Sequence, residues 1–176
     1  MSDWASSNPT ILIALGVAAA GAICYKLFVQ KKANDPNVIV RKTWAKITSQ
    51  YTFQQIGDTF YGNLFSIDPE LPKTAFKGVD QKKQAMKLVT MIDGAVKILD
   101  KPDTLVPVLY ACGKRHANYR TQEEQFPVVG AALLQTLGQV LGNEWTPEVK
   151  EAWTGVYGVM TDVMVKGLRE AQEKKQ

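Results

Sequence analysis

Hydrophobic positions along this chain fall into two regimes. Residues 11–29 read ILIALGVAAAGAICYKLFV, an apolar run interrupted only by Lys26. As a helix with a rise of 1.5 Å per residue it would be roughly 28 Å long, against a bilayer core of about 30 Å. Lys26 sits near one end, where its stem can snorkel to the interface; Lys31 and Lys32 follow it, and the other flank carries only Asp3. The positive side is therefore the C-terminal side, and the run predicts a single-pass transmembrane anchor helix in membrane lipid with the rest of the chain facing the cytosol. A cleaved signal peptide fits less well, because a basic leading segment is missing. A buried core helix is too short and too selective in its faces to match nineteen residues with alanine and glycine all round. Gly16 and Ala20 form a small-xxx-small spacing that would let two such helices pack as a homodimer.

From residue 36 onward the apolar positions recur at helical intervals, with no strand-like alternation. The pattern predicts helices over 36–49, 53–65, 81–99, 104–117, 122–141 and 147–173, with a short turn near Pro69. Asp35-Pro36 places a capping residue before a proline at a first helical position, and Thr146-Pro147-Glu148 repeats that signal for the last helix. Thr121 and Glu124 have the spacing of a capping box, and Gly142-Asn143 reads as a helix stop. The chain thus divides into a short tail (1–10), the anchor (11–29), a linker (30–35), an all-α domain (36–173) and a charged tail (174–176).

At 176 residues there is room for one compact domain plus an appendage. The net charge of +4 arises almost wholly after residue 30, where basic and acidic residues interleave, so no nucleic-acid partner is expected. Two cysteines, Cys24 in the apolar run and Cys112 in a helical pattern, are poor material for a disulfide framework and fit a reducing compartment. No CxxC or paired-histidine zinc spacing occurs.

His116 is the only histidine, and it continues a stripe of Leu105, Leu109 and Cys112 that should turn its ring inward from a helix end. On that alone it is a ligand to a metal or cofactor or, more simply, a hydrogen-bonded core histidine. Tyr61 could equally be a packed aromatic, Gln84 a solvated helix residue, and Phe76 and Leu88 plain core.

The wider pattern narrows the choice. LYACGKRHANYRTQEEQFPVVGAALLQTLGQVLG (109–142), TFYGNLFSIDPEL (59–71), DQKKQAMKLV (80–89) and EAWTGVYGVM (151–160) resemble the haem domain of bacterial flavohaemoglobins and related single-domain haemoglobins, over about residues 38–168. The resemblance implies a globin fold, a helical sandwich around haem b, with His116 as the proximal iron ligand. Counting back from His116, the family's distal glutamine falls on Gln84 and its apolar distal contact on Leu88. Its distal tyrosine matches Tyr61, and the phenylalanine that wedges against haem matches Phe76 with one insertion. Cys112 and Phe126 flank the proximal histidine. Dioxygen is the implied ligand, with nitric oxide and carbon monoxide as further candidates.

The family's characteristic chemistry is conversion of nitric oxide and dioxygen to nitrate. The chain ends at Gln176, with no fused reductase after the globin, so a separate electron-donating reductase is expected. With one histidine, a bis-histidine iron is excluded. One departure is proximal: the family's tyrosine and glutamate that polarise the histidine align here with Phe126 and Leu168. An imidazole without those partners pushes less electron density to iron, which gives weight to an alternative role as gas or redox sensor or oxygen store.

Overall fold

Each of the main helices begins where the sequence supplies a way to start one. In the computed structural model, residues 35–119 and 121–174 are described, and they form α1 (Pro36–Gln50), α2 (Phe53–Ile67), α3 (Gln81–Lys97), α4 (Pro102–His116), α5 (Gln125–Leu141) and α6 (Pro147–Glu173). Single turns of 3-10 helix occur at Leu71–Lys73, Ala117–Tyr119 and Gly142–Glu144. The predicted anchor over 11–29, with its Gly16/Ala20 spacing, lies outside the described residues. Among the described residues no helix is long and apolar enough to cross a membrane.

Asp35 accepts from the Asn37 backbone N–H at 2.8 Å, Asp80 from Lys83 at 3.1 Å, and Thr146 from Val149 at 3.3 Å, each satisfying a donor that a helix start leaves open. Thr52 and Gln55 form a reciprocal capping box at the start of α2, at 3.2 and 2.8 Å. Gly142 closes α5 at φ 53°, a backbone region that favours glycine.

The capping box expected at Thr121 and Glu124 does not form. Helix α5 starts at Gln125, Glu124 makes no side-chain cap, and the Gln125 side chain accepts instead from the Gln122 N–H at 2.9 Å. The reason is Pro127. A helix begun at residue 122 would carry this proline in its interior, where the missing N–H and the ring both disrupt the ladder; starting at Gln125 puts it in the first turn, where no N–H is needed. At α4 the start moves the other way, to Pro102 at the first helical position, and the helix then carries Pro107 in its second turn.

The helices pack as crossed layers. α4 lies along α6, α2 packs on both α3 and α5, and α1 lies against α6. The α4–α6 crossing is unusually close because glycine stands on both sides: Gly113 faces the Met164 carbonyl, and Gly167 faces the Tyr110 carbonyl. Trp44 and Trp153 meet edge-on at 6.0 Å; the first indole donates to Asp93 (3.1 Å) and the second to Thr43 (3.0 Å), which ties α1 to α3 and α6. Val40, Ile47, Leu64, Leu137 and Leu168 have almost no exposed surface. Burying such side chains contributes about 1.5–3 kcal/mol apiece. One polar cluster sits within this core: Asn63 donates to Thr136 and Gln139, both at 3.0 Å, joining α2 to α5.

Candidate functional site: a histidine beside an apolar cleft

Helix α4 ends on His116, and Leu105, Leu109 and Cys112, the stripe that leads to it, are all buried. The imidazole Nδ1 lies 2.8 Å from the Cys112 carbonyl oxygen, four residues back. A carbonyl can only accept, so Nδ1 carries the proton of the neutral ring and Nε2 is left with its lone pair. The Cys112 thiol is a further 3.9 Å contact of Nδ1 and donates to the Met91 sulfur at 3.5 Å. Hydrogen bonding to Cys112 raises the His116 pKa above the ordinary histidine value, although burial opposes it. Burial pushes the Cys112 thiol up, but His116 and Arg115 beside it together bring it below the ordinary value.

The ring stands against Phe126, with centroids 5.8 Å apart and planes tilted by 35°, and edge-on to Tyr119 at 6.1 Å. Behind Phe126 are Ala117 and Leu168, in a small apolar cluster of their own with Met164. The Tyr157 hydroxyl donates to the Phe126 carbonyl at 2.7 Å and pins the start of α5 against α6.

His116 and Phe126 line a cleft whose other walls include Phe60, Leu88, Ile92 and Met160. Its cavity volume is about 150 Å³, and its walls are almost wholly apolar. Leu88, Ile92 and Val96 are one face of α3 at four-residue spacing, and Trp153, Val156, Met160 and Met164 are one face of α6, so two apolar helix stripes form opposite walls.

A second, smaller cavity of about 80 Å³ lies among Tyr61, Phe65, Phe76, Gln81 and Gln84. Tyr61, Phe65 and Phe76 form a triangle of rings with centroids 5.5, 5.5 and 5.7 Å apart. The Gln84 side chain shares this cavity with the Tyr61 hydroxyl, and burial pushes the Tyr61 pKa up to about 12 against the weaker opposing effect of that neighbour. Tyr61 is therefore a protonated donor at any physiological pH.

The residues singled out from sequence thus fall into three groups. His116, Phe126 and Leu88 line the larger cleft, and Tyr61, Phe76 and Gln84 come together in the smaller cavity. Cys112 sits one turn behind the histidine and holds its tautomer, while Leu168 is buried behind Phe126. The groups are neighbours: Phe60 of the cleft stacks edge-on against Tyr61 at 5.2 Å, and Gln84 and Leu88 are one turn apart on α3. Met91, Ile92, Val96, Met160 and Met164 were not singled out, although each continues a stripe visible in the sequence.

Among the described residues no three histidine, cysteine or carboxylate side chains gather to hold a bare metal ion. A lone neutral imidazole beside an apolar cleft suits instead a metal that brings its other ligands in a flat, largely apolar group. The donor set and the cleft walls fit haem.

Crossed helical layers around a histidine-bearing apolar cleft define a haem-protein architecture. The globin family profile matches residues 58–164, and the chain belongs to the globin family. A flavohemoprotein of Bacillus subtilis is 32% identical over 118 residues, 64% of this chain but 29% of that protein, so the chain spans under a third of its relative. A flavohemoglobin of Malassezia yamatoensis solved with FAD and heme has a TM-score of 0.66 at 25% identity, covering 77% of this chain and 36% of that one. An engineered carbene transferase from Rhodothermus marinus shares the fold, with a TM-score of 0.69 at 21% identity over 80% of this chain and 95% of that one. The fold and these relatives imply a haem cofactor.

Proposed function

We propose that the chain is a haem- and gas-binding globin, held on a membrane through residues 11–29, that turns nitric oxide and dioxygen into nitrate with electrons from a separate reductase. The observation that carries the reading is the Nδ1–Cys112 hydrogen bond, which leaves the His116 Nε2 lone pair as a ligand beside the apolar cleft. Haem, when bound, supplies an iron that takes a diatomic gas. His116 would hold that iron, Leu88 and Phe126 would pack on the ring faces and exclude water, and the protonated Tyr61 hydroxyl, with Gln84 beside it, would donate a hydrogen bond to the gas.

A second reading, a gas sensor or oxygen store without turnover, is favoured by the proximal side. There the imidazole donates to a neutral backbone carbonyl, and Phe126 and Leu168 offer no carboxylate to draw its proton away. The electron push on iron is then modest.

The test is an absorption spectrum of the purified chain in ferric, ferrous, dioxygen and carbon monoxide states, for wild type and His116→Ala. A five-coordinate ferrous spectrum that becomes a stable oxygenated one, with coordination lost in the variant, is expected. Haem uptake with an unchanged spectrum in His116→Ala would refute the ligand assignment. Nitrate formation by the loaded chain with a reductase then separates turnover from simple binding.

A further inference from the structure

Charge is unevenly spread over this globin. Residues 70–87 carry Lys73, Lys77, Lys82, Lys83 and Lys87 against Glu70 and Asp80, a net +3 in a chain whose total is +4. Residues 121–174 carry eight acids against four bases and are net negative. All five lysines are exposed. Lys73 pairs with Glu70 at 2.7 Å and Lys83 with Asp80 at 3.3 Å, while Lys77, Lys82 and Lys87 have no ion-pair partner among the described residues. Val79 and Met86, each 41% exposed, lie among them.

The place of this patch matters more than its charge. Val79 and Gln81, which lie between Lys77 and Lys82 in the chain, line the smaller cavity together with Tyr61 and Gln84. Lys87 directly precedes Leu88 of the larger cleft. The lysines therefore flank, along the chain, residues that line the two cavities assigned above to haem and its gas.

We propose that this lysine patch is the docking surface for an acidic one-electron donor protein, an inference that rests on the haem reading. Opposite surface potentials raise encounter rates by roughly 10–10³. Transient redox encounters use small interfaces, under about 1,200 Å², for which lysines around two exposed apolar side chains suffice. One electron leaves the donor's reduced centre for ferric iron; the donor is oxidised by one electron, and no bond or proton moves at the patch. An anionic lipid surface would attract the same lysines, but the patch borders the site that needs reducing, which favours the donor.

The experiment uses the full haem-loaded chain and, as probe, an acidic flavodoxin carrying a fluorescent label. Binding is read by anisotropy across a salt series, and bimolecular reduction by the reduced flavodoxin is trapped with carbon monoxide. Binding should weaken steeply with salt. In Lys82→Glu/Lys87→Glu, affinity and reduction rate should fall roughly tenfold or more at low salt, with the haem spectrum and reduction by dithionite unchanged. Lys150→Glu/Lys166→Glu, exposed lysines of the acidic half, should stay within about twofold. The proposal is overturned if the two double variants lose binding equally, if neither loses it, or if phosphatidylserine vesicles bind and flavodoxin does not. A chain without a haem spectrum shows, before any donor is added, that the haem reading has failed and this one with it; a normal spectrum with salt-independent binding overturns the docking surface alone.

Discussion

The crossing of α4 and α6 sets the position of His116, and Gly113 is the residue that tests it. A Cβ at Gly113 would fall on the backbone carbonyl of Met164, which belongs to a helix and cannot swing aside as a side-chain tip can. To restore ordinary contact the two helices would have to part by more than about 1 Å, since non-bonded atoms prefer roughly 3.5–4.0 Å. Overpacking of this kind costs about 1–3 kcal/mol, and a clash with backbone belongs at the upper end. Gly→Ala in a helix interior returns about 1 kcal/mol of propensity, leaving a net loss of about 2 kcal/mol. For a domain of this size that lowers Tm by roughly 4–8 °C. Gly158→Ala is the control: it lies in α6, nothing would meet its Cβ within 4 Å, and it should gain about 0.5–1 kcal/mol. Thermal unfolding of the two variants beside wild type decides the matter, with haem affinity as a second readout because Gly113 is three residues from His116. Should Gly113→Ala melt at or above the wild-type temperature, the close crossing is wrong.

Other perturbations separate site from scaffold. In Tyr61→Phe the hydrogen bond to bound gas is lost, and dioxygen should dissociate roughly 10–150-fold faster by stopped flow, the equivalent of about 1.5–3 kcal/mol; an unchanged rate would remove Tyr61 from the site. Asn63→Ala breaks the α2–α5 polar cluster and should cost about 1–3 kcal/mol in urea unfolding without altering the haem spectrum. In the haem-free chain the raised His116 pKa means that the fold favours the protonated ring. That stabilisation is fully present below the unfolded value of about 6.5 and is lost as pH rises through the folded value. The stability advantage of wild type over His116→Gln should therefore shrink as pH rises above about 6.5; an advantage that grows with pH would show the sign to be wrong.

How much of this was legible beforehand depended on whether the signal was local. Asp35-Pro36, Thr146-Pro147 and Gly142 announce their boundaries because capping chemistry acts over three or four residues. Thr121 and Glu124 carried the same kind of signal and misled, because the proline three residues further on decided where α5 could begin. The inward face of His116 could be read from the stripe it shares with Cys112. Its tautomer could not, since that depends on a 2.8 Å contact with a backbone carbonyl. Tyr61 and Gln84 are 23 residues apart with no pattern linking them, and only the family resemblance suggested that they belong together. Ile92, Val96, Met160 and Met164 were visible as stripes, but the wall of an apolar cleft and the packed core use the same side chains.

The two sides of the proposed haem plane lean in different directions, and this bears on what the protein is for. On the side of Tyr61 the donor is buried, has Gln84 beside it, and is kept protonated by a pKa of about 12, an arrangement that would retain a polarised gas. On the side of His116 the imidazole shares its proton with a neutral carbonyl, and Phe126 stands against it with Leu168 buried behind. Installing a carboxylate at Leu168 would bury a charge where no surface is exposed, at a cost of several kcal/mol unless a partner came with it. The proximal side is therefore not one substitution away from a strongly electron-donating histidine. A site that holds gas firmly but pushes little charge toward it depends on the rate at which electrons arrive from outside, so the lysine patch, more than the histidine, would decide whether this globin turns over or only binds.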